Sequence, residues 1–139
     1  MKLGLAVIDK DHEQLLALAG EVERLISAGS RMSEVWAKFH ELVEYSLEHF
    51  QREERQMEAC GYPGLDVHRC EHREVGEWLR HIENELEEAG PGASEMVLEQ
   101  TIMFFRAWIA RHLSTFDKAA VEFLLATRES EAAPVAGLR

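Results

Sequence analysis

The chain has 139 residues, 46% hydrophobic and 29% charged, which is typical of one globular domain with a single hydrophobic core. Its formal net charge of −11 makes nucleic acids and anionic membrane surfaces poor partners, because both are negatively charged. No apolar run has the length of a membrane span and no signal-peptide pattern follows Met1, so we expect a cytoplasmic protein that binds neither nucleic acid nor membrane.

Three clusters of glycine, proline and serine divide the chain into four segments. The clusters lie at residues 29–33, 61–64 and 90–92, and each segment is long enough for a helix and rich in good helix formers. Four helices joined by short loops pack as an up-down-up-down bundle. We therefore predict an all-α protein whose four-helix bundle spans residues 1–127, followed by a disordered tail at residues 128–139.

Every segment carries a stripe of residues spaced by three and four, the period of a helix that buries one face. In chain order the stripes are His12, Leu15, Leu16, Ala19, Val22 and Ile26; Val35, Phe39, Leu42, Ser46, His49, Glu53 and Met57; Leu65, His68, His72, Val75, Leu79, Ile82 and Leu86; and Val97, Thr101, Phe104, Trp108 and His112. Histidine and glutamate thus stand at positions where the period calls for an apolar core residue.

These polar positions meet at one depth of the predicted bundle. The start of the first helix lies beside the end of the second, the start of the third and the end of the fourth. A single buried histidine is more often a hydrogen-bonded core residue than a metal ligand, but here every helix contributes at least one. Burying so many unpaired polar groups would be costly, so we predict that they bind metal. The candidate ligands are His12, His49, Glu53, His68, His72, His112 and Asp117.

The spacing within the second and third helices agrees with a common centre. His49 and Glu53 are separated by one helical turn, as are His68 and His72, so each pair projects from one face. Glu54 lies one position further around the helix and is predicted to be solvated.

The spacing in the fourth helix is irregular. His112 and Asp117 are five residues apart, which does not place two side chains on one face of a regular α-helix. Because the core stripe resumes at Asp117 as though one residue had been inserted, we hypothesise a π-type bulge between the two. The alternative is that Asp117 is a solvated residue of an acidic helix.

Seven candidate ligands exceed the needs of one ion. A zinc ion takes about four ligands, and calcium or magnesium sites are built from oxygen, whereas imidazole suits iron, zinc, copper or nickel. If both carboxylates bridge two ions and one oxide or hydroxide joins them, one ion is left with an open position. Such a site can bind a small ligand at one metal.

The ordered set of motifs resembles that of the hemerythrin family, specifically its single-domain bacterial members. The resemblance covers roughly residues 8–125 and includes all seven ligand positions. The matching motifs are Ile8-Asp9-Lys10-Asp11-His12, His49-Phe50-x-x-Glu53-Glu54-x-x-Met57, Tyr62-Pro63, His68-x-x-x-His72 and Trp108-x-x-x-His112-x-x-x-x-Asp117-Lys118.

The resemblance implies two iron ions, joined by an oxide or hydroxide, that bind dioxygen reversibly, so we expect a binding protein and not an enzyme. It implies that one ion is held by His68, His72 and His112, that the ion with the vacancy is held by His12 and His49, and that Glu53 and Asp117 bridge. By position, candidate walls of a dioxygen pocket are Phe50, Trp108, Ile109 and Leu113, for which ordinary core packing is the alternative.

Two departures from the family's pattern concern the cover of the site. Only eleven residues precede His12 and none is aromatic, and Ala120 stands where the family often has tyrosine. We therefore expect a site that is more open to water and oxidises quickly in air.

Other uses of the same site stay open. A sensor of oxygen, nitric oxide or redox state, a di-iron oxidase or peroxidase, and a protein for iron storage or repair are the alternatives. His40 and His81 are predicted to be surface residues, and Cys60 and Cys70 to be free thiols. The acidic surface and the lack of a surplus apolar face favour a monomer.

Overall fold

The computed structural model of the chain describes residues 4–90 and 95–132, and these residues are helical with no strand among them. The elements are α1 (Ala6–Ser27), α2 (Met32–Cys60), α3 (Leu65–Ala89), α4 (Glu95–His112), a π-helical turn (Leu113–Asp117) and α5 (Lys118–Ala132). The π-turn and α5 continue α4, so the last three elements form the fourth rod of a helical bundle. The predicted all-α class is confirmed.

Consecutive helices run antiparallel. Arg52, in the second half of α2, donates a hydrogen bond to Asp11 near the start of α1. On the other side of α2, Arg69 near the start of α3 pairs with Glu58 near the end of α2. These contacts place the start of α1, the end of α2 and the start of α3 at the same end of the bundle, as the sequence predicts.

Glycine ends the first two helices. Gly29 and Gly61 have φ angles of 68° and 70°, in the left-handed region where a side chain would be strained. Behind Gly61, the Tyr62 N–H donates to the Met57 carbonyl at 2.9 Å and closes the end of α2. Both predicted breaks are therefore present. Of the third, Gly90 follows α3, and the rest of residues 90–92 lies outside the described residues.

The core follows the predicted stripes except in α4. Val97 and Phe104 were assigned to the buried face but are 38% and 55% exposed. The residues that α4 buries are Leu98, Thr101, Ile102, Phe105, Trp108, Ile109 and His112. The assignment was wrong because apolar residues occur on both flanks of α4, so their spacing did not reveal which flank faces the bundle.

The predicted boundary at residue 127 does not coincide with a helix end. Helix α5 continues to Ala132, and residues 133–139 of the expected tail lie outside the described residues. Among the described helices, none combines the length and apolar character required to cross a membrane.

Candidate metal centre

All seven predicted ligands meet inside the bundle. Each is 3% exposed or less, although they come from four different rods. They are His12 of α1, His49 and Glu53 of α2, His68 and His72 of α3, His112 at the end of α4 and Asp117 at the end of the π-turn.

The ligands form two groups that share both carboxylates. One group joins Glu53 and Asp117 to three histidines, and the other joins the same carboxylates to two; in each group the ligand atoms lie within 4.8 Å of one another. We call them the three-histidine group (His68, His72 and His112) and the two-histidine group (His12 and His49). Two metal ions sharing the carboxylates would have this arrangement.

Each carboxylate directs one oxygen to each group. For Asp117, Oδ1 lies 2.9 Å from His68 Nε2 and 3.0 Å from His112 Nε2, whereas Oδ2 lies 3.1 Å from His12 Nε2. Glu53 is arranged in the same way: Oε1 is 2.9 Å from His68 Nε2 and Oε2 is 3.0 Å from His49 Nε2. Both side chains are therefore placed to bridge two ions.

The imidazole nitrogens converge on the centre, but they cannot all form hydrogen bonds with one another. In the three-histidine group, His112 Nε2 lies 3.1 Å from the Nε2 atoms of both His68 and His72. One nitrogen cannot donate to and accept from two such neighbours, so lone pairs are left facing a common point. Both deeply buried ring nitrogens of His12 lack a hydrogen bond of good geometry. Such a set of buried donors fits a pair of transition-metal ions, which would bind the lone pairs.

The π-turn brings Asp117 into the site. Residues Leu113–Asp117 form one wide turn, and the π-type bulge hypothesised from the spacing of His112 and Asp117 is present. The wider turn disturbs the regular backbone hydrogen bonds. Two hydroxyl groups, those of Ser114 and Thr115, donate to the Arg111 carbonyl at 3.1 and 2.7 Å. The side chains of the turn thus compensate for part of the disturbed bonding.

Asp11 orients a ligand histidine and was missed as a functional residue. Its Oδ2 accepts a hydrogen bond from His49 Nδ1 at 2.9 Å, and it also accepts from Tyr45 and Arg52. Burial alone would raise the pKa of Asp11, but these hydrogen bonds outweigh it and hold the pKa well below its usual value. The signal in the sequence was the spacing of Tyr45, His49 and Arg52 along one face of α2.

Glu54 of α2 makes the corresponding contact with His72, a ligand on α3. Its Oε2 lies 2.8 Å from His72 Nδ1, and Arg69 pairs with its other oxygen at 3.4 Å. The expectation that Glu54 is solvated was therefore wrong, because α3 packs over the flank of α2 on which it lies. Its position off the inward face was predicted correctly, since Glu53 and not Glu54 faces the metal centre.

Without metal, the site holds its charges in a tight network. Burial lowers the pKa of His49 and His68, but hydrogen bonds to Asp11 and Glu53 for the first, and to Asp117 and Glu53 for the second, raise both to about 9. For Glu53, burial is likewise outweighed by the surrounding histidines, so its pKa is well below the usual value. In this state imidazolium groups neutralise the buried carboxylates, the role that metal cations would take over.

A small cavity adjoins the two-histidine group. Its volume of about 10 Å³ is room for a single water-sized molecule. Both His12 and His49 line it, whereas the three-histidine group contributes only His112. The remaining lining residues are Leu15, Asp117 and the four predicted pocket residues Phe50, Trp108, Ile109 and Leu113.

Aromatic rings enclose the ligands. Phe50 stacks on His72 with ring centroids 4.2 Å apart, and Trp108 stacks on one side of His112 at 4.5 Å. Phe116, within the π-turn, also stacks on His112, at 5.5 Å. These rings and the burial of all seven ligands shield the site from water, and the expected fast oxidation in air stays a prediction.

Histidines and cysteines outside the centre lie where the sequence placed them. His40 and His81 are exposed, and Cys60 and Cys70 are free. His40 is near Glu44 and Glu83, and the Arg80 guanidinium pairs with both glutamates, at 2.7 and 3.1 Å.

The comparisons with known proteins agree on one family. The family model described as "Hemerythrin HHE cation binding domain" matches residues 3–124. The bacteriohemerythrin of Methylococcus capsulatus is 26% identical over 110 residues, 79% of this chain and 80% of that protein. Those of Stenotrophomonas maltophilia and Clostridium acetobutylicum are each 23% identical, over 86% and 87% of this chain and 74% and 94% of the relatives.

Proposed function

The chain belongs to the hemerythrin family, and from this premise we propose that it binds dioxygen reversibly at a pair of iron ions. The observation that carries the proposal is the cavity of about 10 Å³ beside the two-histidine group. An ion that binds a small gas needs both a free coordination position and space next to it. The arrangement of donors supplies the first, and the cavity supplies the second.

The donor count leaves one position free on one ion. The three-histidine group offers three nitrogens and one oxygen from each carboxylate, and an oxide or hydroxide bridge would complete six ligands. The two-histidine group offers one nitrogen fewer, so the same bridge would complete only five. The free position therefore falls on the side that the cavity adjoins.

The protein's part in the binding is to position the ions and to exclude water. Two ferrous ions held by these ligands would supply the electrons that dioxygen accepts. Around the cavity, Phe50, Trp108, Ile109 and Leu113 present apolar surface and no hydrogen-bond acceptor except backbone. A dry pocket of this kind disfavours the separation of charge that irreversible oxidation requires.

Support for a binding protein, and not an enzyme, comes from the donor set. Di-iron bundles that process substrates commonly use carboxylate-rich sites with Glu-x-x-His pairs. This chain has no such pair, and its centre has five imidazoles against two carboxylates. The cavity also has no room for an organic substrate. A sensor that uses the same dioxygen site is the second candidate, since binding would be identical and only the partner would differ. We further propose that the protein acts in the cytoplasm, where free cysteines persist.

The test is anaerobic loading with ferrous iron followed by exposure to air. We expect two iron ions per chain and a visible charge-transfer band that appears with dioxygen and disappears when dioxygen is removed. A ferric spectrum that does not revert and that accompanies substrate turnover would favour an oxidase. One tightly bound zinc ion per chain, with no affinity for iron, would contradict the proposal.

A further inference from the structure

Helix α4 has an apolar outer face. Met103 is 71% exposed and Phe104 is 55% exposed, and Val97, about two turns earlier, is 38% exposed. The Phe104 ring also contacts Trp78 of α3, with centroids 4.7 Å apart, which extends the apolar surface toward α3. The expectation of a monomer depended on the acidic surface and on the lack of such a face, and the second of these reasons does not hold. Exposed apolar residues in a cluster indicate an interaction surface.

The exposed residues of α4 repeat with the period of paired helices. A row at alternating steps of four and three runs along the side opposite the buried face, and all its members are exposed. We call this row the α4 seam, and it consists of Met96, Gln100, Met103 and Ala107. This is the spacing of residues that interlock where two helices pack side by side.

The two edges of the α4 seam differ in chemistry. One edge carries Glu99 and Arg106, an acid and a base seven residues apart. The other carries Val97 and Phe104, two apolar residues with the same separation. Within the part of the chain that the structure describes, Glu99 has no ion pair, whereas Arg106 pairs with Glu23 of α1. A guanidinium has further N–H groups with which to bind a second carboxylate.

We propose that the α4 seam is the interface of a homodimer in which the α4 helices of two copies pack antiparallel. In a twofold antiparallel pair, each edge of the seam meets the same edge of the other copy. Centring the pair between Gln100 and Met103 places Glu99 of each copy beside Arg106 of the other. It also places Val97 of each copy beside Phe104 of the other.

The edges select the antiparallel arrangement over the parallel one. In a parallel pair the charged edge of one copy would meet the apolar edge of the other, leaving Glu99 without a basic partner. In the antiparallel pair, by contrast, the contact between Glu99 and Arg106 and the contact between Val97 and Phe104 each form twice, because the twofold axis repeats them. Within the seam, Met96 of one copy then lies opposite Ala107 of the other, so a long side chain meets a short one. Both charge and shape therefore specify a second copy of this chain.

The interface is short. Helix α4 has 18 residues, which is about 27 Å of helix, so the contact falls among the small, reversible interfaces. We expect dimers to form and dissociate with protein concentration, and the measurement must therefore cover a wide range of concentrations.

The experiment is sedimentation analysis of the full chain from about 1 µM to about 1 mM. We expect the unaltered chain to dimerise as its concentration rises. Met103→Glu and Glu99→Arg should each weaken dimerisation about tenfold or more, because the first buries a charge and the second sets two guanidinium groups against each other at the Arg106 contact. The matched controls are Val7→Glu and Glu122→Arg, exposed sites away from the α4 seam, which should leave dimerisation unchanged.

Mixing two variants tests the direction and register of the helices. The Glu99→Arg chain and an Arg106→Glu chain each oppose like charges in a homodimer, but together they restore opposite charges at both positions. We expect each alone to dimerise about tenfold more weakly than the unaltered chain, and the mixture to form the heterodimer, with helical content confirming that both are folded. A chain that is monomeric at every concentration, or a dimer unaffected by Met103→Glu and Glu99→Arg, would overturn the proposal.

Discussion

The Nδ1 atom of His49 lies 2.9 Å from the Oδ2 atom of Asp11, on the side of the imidazole that faces away from the metal centre. Because Asp11 also accepts hydrogen bonds from Tyr45 and Arg52, its position is determined from two further directions. When His49 is neutral, as a metal ligand must be, the carboxylate therefore holds its one proton on Nδ1 and leaves the lone pair of Nε2 directed at the centre. Glu54 stands in the same relation to His72, which belongs to the other group.

These two carboxylates should affect different ions. Asp11→Asn removes the anion behind His49, so we expect the ion of the two-histidine group to bind about 10- to 100-fold more weakly. Glu54→Gln should weaken the ion of the three-histidine group instead. Competition with a chelator, followed by the iron content per chain, measures both effects. Retention of both ions with unchanged affinity in the two variants would show that these contacts do not orient the ligands.

The π-turn should tolerate a deletion better than an insertion. Removing the exposed Ser114 leaves Asp117 one regular turn after His112, and four residues of α-helix bring a side chain back to about the same face. We expect this variant to keep two iron ions. Inserting an alanine after Ser114 should rotate Asp117 away and abolish binding of both ions, since Asp117 contacts both groups. Equal iron content in the two variants would contradict this explanation.

The sequence predicted the features of the site that depend on spacing within one helix, and it did not predict those that depend on how two helices pack. The π-turn was predictable because the phase of the core stripe changes within one segment, between His112 and Asp117. The role of Asp11 and the contact made by Glu54 were not, because each depends on the neighbouring helix that covers a flank. Phe104 was misplaced for the same reason. Apolar residues on both flanks of α4 satisfy the helical period equally, and the packing of α4 against the bundle decides which is buried.

The metal-free chain should lose stability between neutral and alkaline pH. The pKa values of His49 and His68 are raised from 6.5 to about 9 in the folded chain. The protonated form of each imidazole therefore stabilises the folded state. Their contribution to the free energy of unfolding is fully present below pH 6.5 and is lost as the pH rises to about 9. We expect the thermal midpoint of the metal-free chain to fall over this range.

The metal-loaded chain is the control for this pH dependence. Bound metal requires neutral imidazoles, so loading at pH 7 should release protons from His49 and His68, and affinity should increase with pH. The thermal midpoint of the loaded chain should therefore not fall between pH 6.5 and 9. A metal-free chain whose midpoint rises over this range would show that other groups dominate the titration.

The walls of the small cavity should determine how long the dioxygen response lasts. Leu113→Ala enlarges the cavity and admits water beside the two-histidine group. We expect this variant to lose its reversible spectral response in air faster than the unaltered chain. The matched control is Leu98→Ala, which removes the same atoms from the buried face of α4 but does not line the cavity. Both variants should lose about 2–5 kcal/mol of stability. If both lose the response equally fast, reduced stability explains the loss; if only Leu113→Ala does, water entering the cavity explains it.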